Sequence, residues 1–433
     1  MAKFCLWLFL VVLVVSAGNV YAITDEEISR IIPFSFVNPG ARSTGMGGAF
    51  IGLADDATAA EANPAGLIIL TKPEVSVEYR NTQFENSALT SIQGLTSPEL
   101  DVIAGNNSQL DELNQVSWAS FVYPVGDKFT LGFSRQEQLE QKGDISELII
   151  FDVKLEPPFE LDVAAMGNVD LKVVNWNFSG AAKLTHQLSV GATLRYSQLD
   201  WKANTDNTLL LLIGNAAALA TSNTSIDDTD NAFAFNIGGL FRVNPHVSFG
   251  GVYKRNAKFQ VTENLTGDLG EVRSFTNTLK VPDVYGAGVS YKPNDNMTID
   301  GDVVQIQYSQ LTEDIIGGIN VLTLGNGDNI NYKVKNGTEF HVGTEFVVFL
   351  RNIPVALRAG YYHKPIRSLL VDSTQNLQPI DNQILNLVFA ERDPENHFTL
   401  GNGFVFGPHF QVDWALDVAN DVDTFVLSSV VRF

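Results

Sequence analysis

The sequence predicts an all-β chain, a 14-stranded antiparallel transmembrane β-barrel, and three observations carry that prediction. The first is the stretch from Asp423 to Phe433. Phe425, Leu427, Val431 and Phe433 fall on one face of an extended strand, and Thr424, Ser428 and Arg432 on the other. One lipid-like face, one wetter face and a final aromatic residue describe the closing strand of an outer-membrane barrel. Phe433 is therefore the expected point of contact with barrel-assembly machinery. The second is the amino terminus, where Lys3 precedes an apolar run from Phe4 to Val15 and Val20-Tyr21-Ala22 offers a cleavage signature. That run is too short to span a bilayer, so residues 1–22 read as a secretory signal peptide. The third is a train of alternating segments from Glu74 onward, joined by connections that are by turns short and long.

Fourteen candidate strands follow from the alternation: 74–83, 115–124, 128–138, 170–184, 187–203, 231–243, 246–262, 282–293, 297–310, 337–349, 353–365, 396–407, 409–419 and 423–433. Short connections lie at Val125-Gly-Asp127, Thr185-His186, Asn244-Pro245, Asn294-Asp-Asn296, Leu350-Arg-Asn352 and Pro408. Short periplasmic turns and long external loops are the outer-membrane arrangement. In 409–419, Phe410, Val412, Trp414, Leu416 and Val418 oppose Gln411, Asp413 and Asp417. In 337–349, Phe340, Val342 and Phe346 oppose Glu339, His341 and Glu345. In 187–203, Val190, Leu194 and Tyr196 oppose Thr193, Arg195 and Ser197. Charge selects the lumen face, because a charge at the bilayer midplane costs a few kcal/mol. Segment 297–310 changes phase between Val303 and Ile306, which a bulge near Val304 or a misplaced boundary would explain.

Bulk properties agree. The chain has 433 residues, a formal charge of −21 and a single cysteine, Cys5, inside the leader. The acidity excludes nucleic acid as a partner, since phosphates would be repelled. A mean hydropathy of +0.05 suits a barrel, in which every second residue faces the lumen. Acidic stretches such as Glu137-Gln-Leu-Glu140, Asp227-Asp-Thr-Asp230 and Asp421-Val-Asp423 read as solvated external loops.

Between the leader and the first strand, Thr24-Asp-Glu-Glu27 opens a short amphipathic helix that ends at Pro33. Gly45, Gly47 and Gly48 permit close backbone approach. Asp55 or Asp56 can cap a short helix reaching residue 62, which Pro64 ends by forcing Asn63 out of the helical region.

The block Gly40-Ala-Arg-Ser-Thr-Gly-Met-Gly-Gly-Ala-Phe50, then Ala54-Asp-Asp-Ala-Thr-Ala59, then Asn63-Pro-Ala-Gly-Leu67 resembles the amino-terminal plug of FadL/TodX-type outer-membrane transporters. The resemblance covers essentially the whole mature chain. It implies that residues 23–73 form a small plug, or hatch, inside a barrel of residues 74–433. It also implies passive uptake of hydrophobic small molecules such as long-chain fatty acids or hydrocarbons, with the outer-membrane lipid as surroundings. By motif match, Asn63, Pro64, Ala65 and Gly66, with Gly45, Gly47, Gly48, Asp55 and Asp56, form the hatch along the substrate path. A turn after a helix is the plainer reading of Asn63-Pro-Ala-Gly66. Similar plugs occur in PorV-like barrels that assist secretion or surface attachment, which is the alternative function.

Leu209, Leu210, Leu211, Leu212 and Ile213 fall where the third external loop is expected. Consecutive large apolar residues need cover. They read either as an external groove that captures an apolar ligand or as a loop helix packed on its neighbours. Ile145 to Val153 is a similar island in the second loop. Catalysis has little support: there is no Gly-x-Ser-x-Gly elbow, no mature thiol and no spaced histidine pair for a metal. No cofactor is expected. Arg195, Arg358, Lys364, Asp413 and Asp417 are expected to brace the plug, and a closed barrel without free edges is expected to be a monomer.

Overall fold

A computed structural model describes residues 36–86, 100–106, 109–154, 158–268, 270, 272–312, 332–365, 369–371, 394–420 and 422–433. The predicted helix at 24–33 and residue Asp421 lie outside these residues. The strands run β1 (Glu74–Asn86), β2 (Leu100–Asn106), β3 (Gln109–Val125), β4 (Phe129–Val153), β5 (Phe159–Lys183) and β6 (Leu188–Ile213). Next come β7 (Ala216–Asn244), β8 (Val247–Arg255), β9 (Lys258–Gly267), β10 (Val272–Lys280), β11 (Val284–Asn294) and β12 (Met297–Ile306). The last are β13 (Tyr332–Val334), β14 (Gly337–Leu350), β15 (Ile353–Lys364), β16 (Leu369–Val371), β17 (Glu395–Phe406), β18 (Phe410–Val418) and β19 (Val422–Arg432).

Fourteen of these close a ring: β1, β3 to β8, β11, β12, β14, β15 and β17 to β19, each antiparallel to the next. β19 returns to β1 from Glu74↔Arg432 to Phe84↔Val422, so every wall strand has two neighbours. Each predicted strand overlaps one of the fourteen, and each predicted short turn joins two of them. Exposed aromatic residues mark two belts. Tyr123, Tyr291, Phe349, Phe406 and Phe433 lie toward the short turns, and Tyr79, Phe233, Tyr285, Phe340 and Phe398 lie further along the strands. Such girdles sit at the two membrane interfaces.

Strands β4 to β7 are 25, 25, 26 and 29 residues long. A membrane crossing needs only about 9–11. The surplus rises beyond the bilayer as a sheet, and there the alternation inverts. On β6, Val190 and Leu194 face outward and Arg195 and Ser197 inward, whereas Leu199 and Trp201 are buried and Asp200 and Lys202 exposed. The cause is the surroundings. Within the bilayer the apolar medium is outside, and above it water is outside and the apolar side turns inward.

Several expectations are corrected by this extension. Residues 139–153, 204–213 and 216–230 are strand rather than loop, and Leu209–Ile213 ends β6, paired with Ala216–Ala220 of β7. Neither a loop nor a helix exists there. Glu137 and Glu140 belong to β4 and Asp227 to Asp230 to β7. Asp228 and Asp230 accept from the Thr262 and Gln260 amides at 2.7 Å each, tying β7 to β9. Predicted strand 246–262 is divided at Asn256-Ala257 between β8 and β9. Predicted strand 297–310 ends at Ile306, and its register is continuous from Ile299 to Ile306 against both neighbours, so no bulge stands at Val304. Val304 and Ile306 instead lie on the lumen face, buried in an apolar interior.

Residues 36–73 fill the lower lumen. They form α1 (Ala41–Gly45), α2 (Ala59–Ala62) and a 3₁₀ turn (Pro64–Ile69). Neither Asp55 nor Asp56 caps α2: Thr58 is its N-cap residue, and Asp56 instead accepts from the Thr58 amide (2.9 Å) and hydroxyl (2.5 Å). Asn63 is extended, as Pro64 requires, and Pro64 opens the next turn as well as ending α2.

Candidate functional site

The hatch is held by backbone contact and by buried charge. Gly47 and Gly48 have φ of +66° and +74°, a region that favours glycine. At Gly47 the backbone comes so close to Tyr361 that a Cβ would lie 2.8 Å from its amide nitrogen. The Gly47 amide donates to Thr399 Oγ1 (3.0 Å), and its carbonyl accepts from His341 Nδ1 (2.7 Å). The Gly45 carbonyl accepts from the Thr399 hydroxyl at 3.2 Å. Gly66 abuts Ala54, and the Ala65 carbonyl accepts from Ser189 Oγ at 3.1 Å. Asn63 is fully buried and joins three segments. Its Nδ2 donates to Ile51 O and Gly239 O at 3.0 Å each, while its Oδ1 accepts from the Ala65 amide at 3.2 Å. All of the predicted hatch residues thus lie on or beside the seam between hatch and wall.

Charge does the rest. Arg42 of α1 meets Asp55 (2.5 Å) and clasps Glu345 of β14 with two bonds of 2.9 Å. Glu345 also takes Arg358 of β15 (2.7 Å), which reaches on to Asp413 of β18 (2.7 Å). Asp302 of β12 accepts from the amides of Phe50 (2.6 Å) and Ile51 (2.9 Å). Glu61 on α2, which sequence reasoning missed, accepts from Arg195 of β6, Lys254 of β8 (3.0 Å) and Asn236 of β7 (3.3 Å). Burial opposes its ionisation, but the two cations outweigh burial and hold its carboxyl below the usual range. Burial raises the Asp56 carboxyl despite Arg42. A single carboxylate in Ala57-Thr-Ala-Ala-Glu-Ala62 was the available signal. Arg195, Arg358 and Asp413 therefore brace the hatch or its partners. Lys364 pairs with Glu395 (2.8 Å) and Asp417 with His397 (2.9 Å) and Tyr362 (2.7 Å), all within the wall.

Above the hatch the extension encloses a contiguous apolar interior. Leu209 and Leu211 are buried in it with Phe151, Trp201, Phe259 and Ile306, while Leu210, Leu212 and Ile213 are half-buried. Phe36 meets Tyr308 edge-on, with ring centroids 6.1 Å apart, at its margin. Ile51 of the hatch belongs to the same cluster and forms part of its floor. Ile149, Phe151 and Val153 of the second apolar island point into it as well.

One stretch of wall is incomplete. β3 and β4 pair from Val125↔Phe129 to Trp118↔Gln136 and no further. β4 regains a neighbour on that side at Glu147, where β2 begins to pair. Between these points, among the described residues, β4 is bonded only to β5, with a register shift between Glu137 and Leu139. A cavity of about 310 Å³ lies there, lined by Asn114, Gln115, Val116, Arg135, Glu137, Glu140 and Lys172. Leu139, between the two glutamates, belongs to the apolar interior. The opening sits just above outward-facing Phe133, where the lipid-facing surface gives way to polar side chains. The described seam between hatch, β1, β18 and β19 is far tighter, about 20 Å³, room for about one water.

Comparison with known proteins agrees with this geometry. The family model described as outer membrane protein transport protein (OMPP1/FadL/TodX) matches residues 35–418. No curated protein sequence matches significantly. Among solved structures, a Pseudomonas aeruginosa FadL homologue superposes with a TM-score of 0.62 at 14% identity, over 91% of this chain and 98% of that one. The Ralstonia pickettii toluene transporter TbuX gives 0.58 at 16% identity, over 92% and 100%. The Pseudomonas putida toluene transporter TodX gives 0.56 at 12% identity, over 92% and 99%. At such identities the structural likeness speaks for the fold alone, and the family match carries the rest. With its closed fourteen-stranded wall, its hatch and a match over most of its length, the chain belongs to the FadL/TodX family of outer-membrane transporters of hydrophobic compounds.

Proposed function

We propose that this protein takes up hydrophobic small molecules, long-chain fatty acids or hydrocarbons, without energy coupling, and releases them sideways through the opening between β3 and β4. The observation that carries this reading is the break in the β3–β4 ladder beside the apolar interior. An apolar solute desolvated in the interior is separated from the bilayer there by a few side chains rather than by a hydrogen-bonded sheet. Leu209, Leu211 and their neighbours supply the surface that captures the solute, and burying a ligand against a leucine-sized side chain contributes about 1.5–3 kcal/mol. No chemistry is required of the protein, only a dry path.

A passage past Asn63, Pro64, Ala65 and Gly66 is the second reading. It is favoured by the Asn63 bond to Ile51, which ties the hatch turn to the floor of the apolar interior. The test is uptake of radiolabelled toluene and of radiolabelled oleate by cells with an intact outer membrane, with and without this protein, beside mass spectrometry of small molecules released from native protein. Protein-dependent, saturable entry of either probe supports transport and names the class. Equal entry with and without the protein, together with an empty barrel, would refute it.

A further inference from the structure

Where β12 runs past the hatch it turns Asp300 and Asp302, two residues apart, toward the lumen, and both are buried. Asp302 is only half engaged. Its Oδ2 accepts from the Phe50 and Ile51 amides, but nothing of ordinary hydrogen-bond geometry reaches its Oδ1. Asp300 is 1% exposed, and neither of its oxygens has a hydrogen-bond partner among the described residues. Ser290 of β11 stands opposite Asp300 in the ladder, is also 1% exposed, and its hydroxyl is likewise unpartnered. Two neighbouring strands thus bring four buried oxygens together with no donor among them.

The backbone closes over the same spot. Asp302 Oδ1 leans across β11, so that a Cβ on Gly288, the residue opposite Asp302, would lie 1.9 Å from it. From the hatch, Gly52 comes so near β11 that its Cβ would lie 2.8 Å from the Ser290 amide nitrogen. On the other side, Gly343 of β14 stands opposite Asp300, and a Cβ there would lie 2.1 Å from the Met46 carbonyl oxygen. That carbonyl accepts one bond, from the Ala49 amide at 3.2 Å, and keeps a second lone pair.

We propose that Asp300, Asp302 Oδ1 and Ser290 Oγ, with the Met46 carbonyl, hold a calcium ion that staples the hatch to β11, β12 and β14. The protein's own cations are already committed. Arg42, Arg358 and Lys292 are shared among Asp55, Asp56, Glu345 and Asp413. His341, opposite Asp302 on β14, spends its two ring nitrogens on the Gly47 carbonyl and on Glu339. A buried carboxylate without a counter-charge is expensive, and here two lie side by side. One proton would serve one oxygen and leave the others as they are. A divalent ion neutralises both carboxylates and takes every orphaned oxygen at once. The set is all oxygen, which selects a hard cation. It is also irregular and drawn from four segments, which suits the flexible shell of calcium, completed by water, better than the strict octahedron of magnesium. Through Asp302, whose other oxygen holds Phe50 and Ile51, the ion bears on the floor of the apolar interior. The staple is independent of the route by which a solute leaves.

The experiment uses native protein purified in detergent from outer membranes, depleted with EDTA and titrated calorimetrically with calcium chloride in sodium chloride buffer. One saturable calcium site per chain is expected. Asp300→Asn, which keeps the shape and loses the charge, is expected to weaken it at least tenfold, and Ser290→Ala several-fold. Asp200→Asn with Asp206→Asn, on the exposed face of β6, is the control for loose binding to the acidic exterior and is expected to leave the site unchanged. No saturable site in the wild type, or wild-type affinity in Asp300→Asn, would overturn the proposal. Should Asp300→Asn fail to assemble as a heat-modifiable barrel, wild-type affinity in Ser290→Ala is equally fatal. The stapling role has its own readout, a cysteine in place of the buried Ala49 beside Phe50. Its labelling by a polar maleimide is expected to be several-fold slower in calcium than in EDTA, and equal in the two when Asp300→Asn is added. Labelling indifferent to calcium in a protein that binds it would overturn the staple.

Discussion

Glu61→Ala removes the carboxylate that two buried cations of the wall depend on. Arg195 is 1% exposed and Lys254 6%. Removing one partner of a buried ion pair costs about 3–5 kcal/mol, because the other charge is left without compensation. Water can reach the lumen once the hatch shifts, so the lower figure is the appropriate one. At about 1.4 kcal/mol per factor of ten, about 3 kcal/mol raises the population of a detached hatch roughly 150-fold. The other anchors, Asp302 on Phe50 and Ile51 and Glu345 on Arg42, remain, so the barrel itself should assemble. A reporter is available in Ala60, a buried neighbour whose replacement by cysteine adds the only thiol beyond Cys5. Its labelling by a polar maleimide should accelerate by about two orders of magnitude in the Glu61→Ala background, since opening governs access. The pH dependence has a definite sign. The Glu61 carboxyl titrates below its ordinary value of about 4.3, so its contribution is fully present above that value and is lost as pH falls through the folded one. Labelling of the Ala60→Cys protein, expressed relative to free cysteine at the same pH because only the thiolate reacts, should therefore be flat from about pH 7 to about pH 5 and rise only in stronger acid. Labelling that Glu61→Ala leaves unchanged in a correctly assembled barrel would refute the reasoning, because a two-cation anchor cannot be removed without cost unless it anchors nothing.

Asn63→Ala strips donors from the Ile51 and Gly239 carbonyls and should loosen the turn by about 1–3 kcal/mol, read as faster labelling of a cysteine at Ala65. Faster toluene uptake in the same variant would support passage by the hatch, and unchanged uptake would support the sideways route. Gly360→Ala places a Cβ 2.2 Å from the Gly47 amide nitrogen, an overpacking worth about 1–3 kcal/mol, which should lower the thermal midpoint of hatch protection. Leu211→Asn puts an amide into the apolar interior and should weaken binding of a fluorescent apolar probe by about tenfold or more, measured by titration.

The barrel was legible because its signal is local. Within the bilayer, alternation needs only that successive side chains meet lipid and lumen in turn, and the fourteen strands and six short turns were recovered from that period alone. The same period runs on from Leu199-Asp-Trp-Lys-Ala203 past the predicted strand end into residues 204–213, which read as loop in the sequence. A membrane reading asks for apolar residues outside, and here they are inside. The phase change at Val304 and Ile306 has the same origin: the residues keep their register and the interior they face becomes apolar. Glu137 and Glu140 read as solvated charge in the sequence because their neighbours, Gln115 and Lys172, come from other strands.

The sequence by itself determined the fold class, the strand order, the lumen faces within the bilayer and the existence of a compact glycine-rich block before the first strand. Each of these is written in spacings of a few residues, which period-two geometry and turn chemistry translate directly. Only the tertiary structure decided where the wall is open, which charges hold the hatch, and that Leu209 and Leu211 roof an enclosed interior rather than an exposed loop. Those are matters of which strands meet, and the contacts that settle them join positions such as Glu61 and Lys254, 193 residues apart, that no local pattern relates.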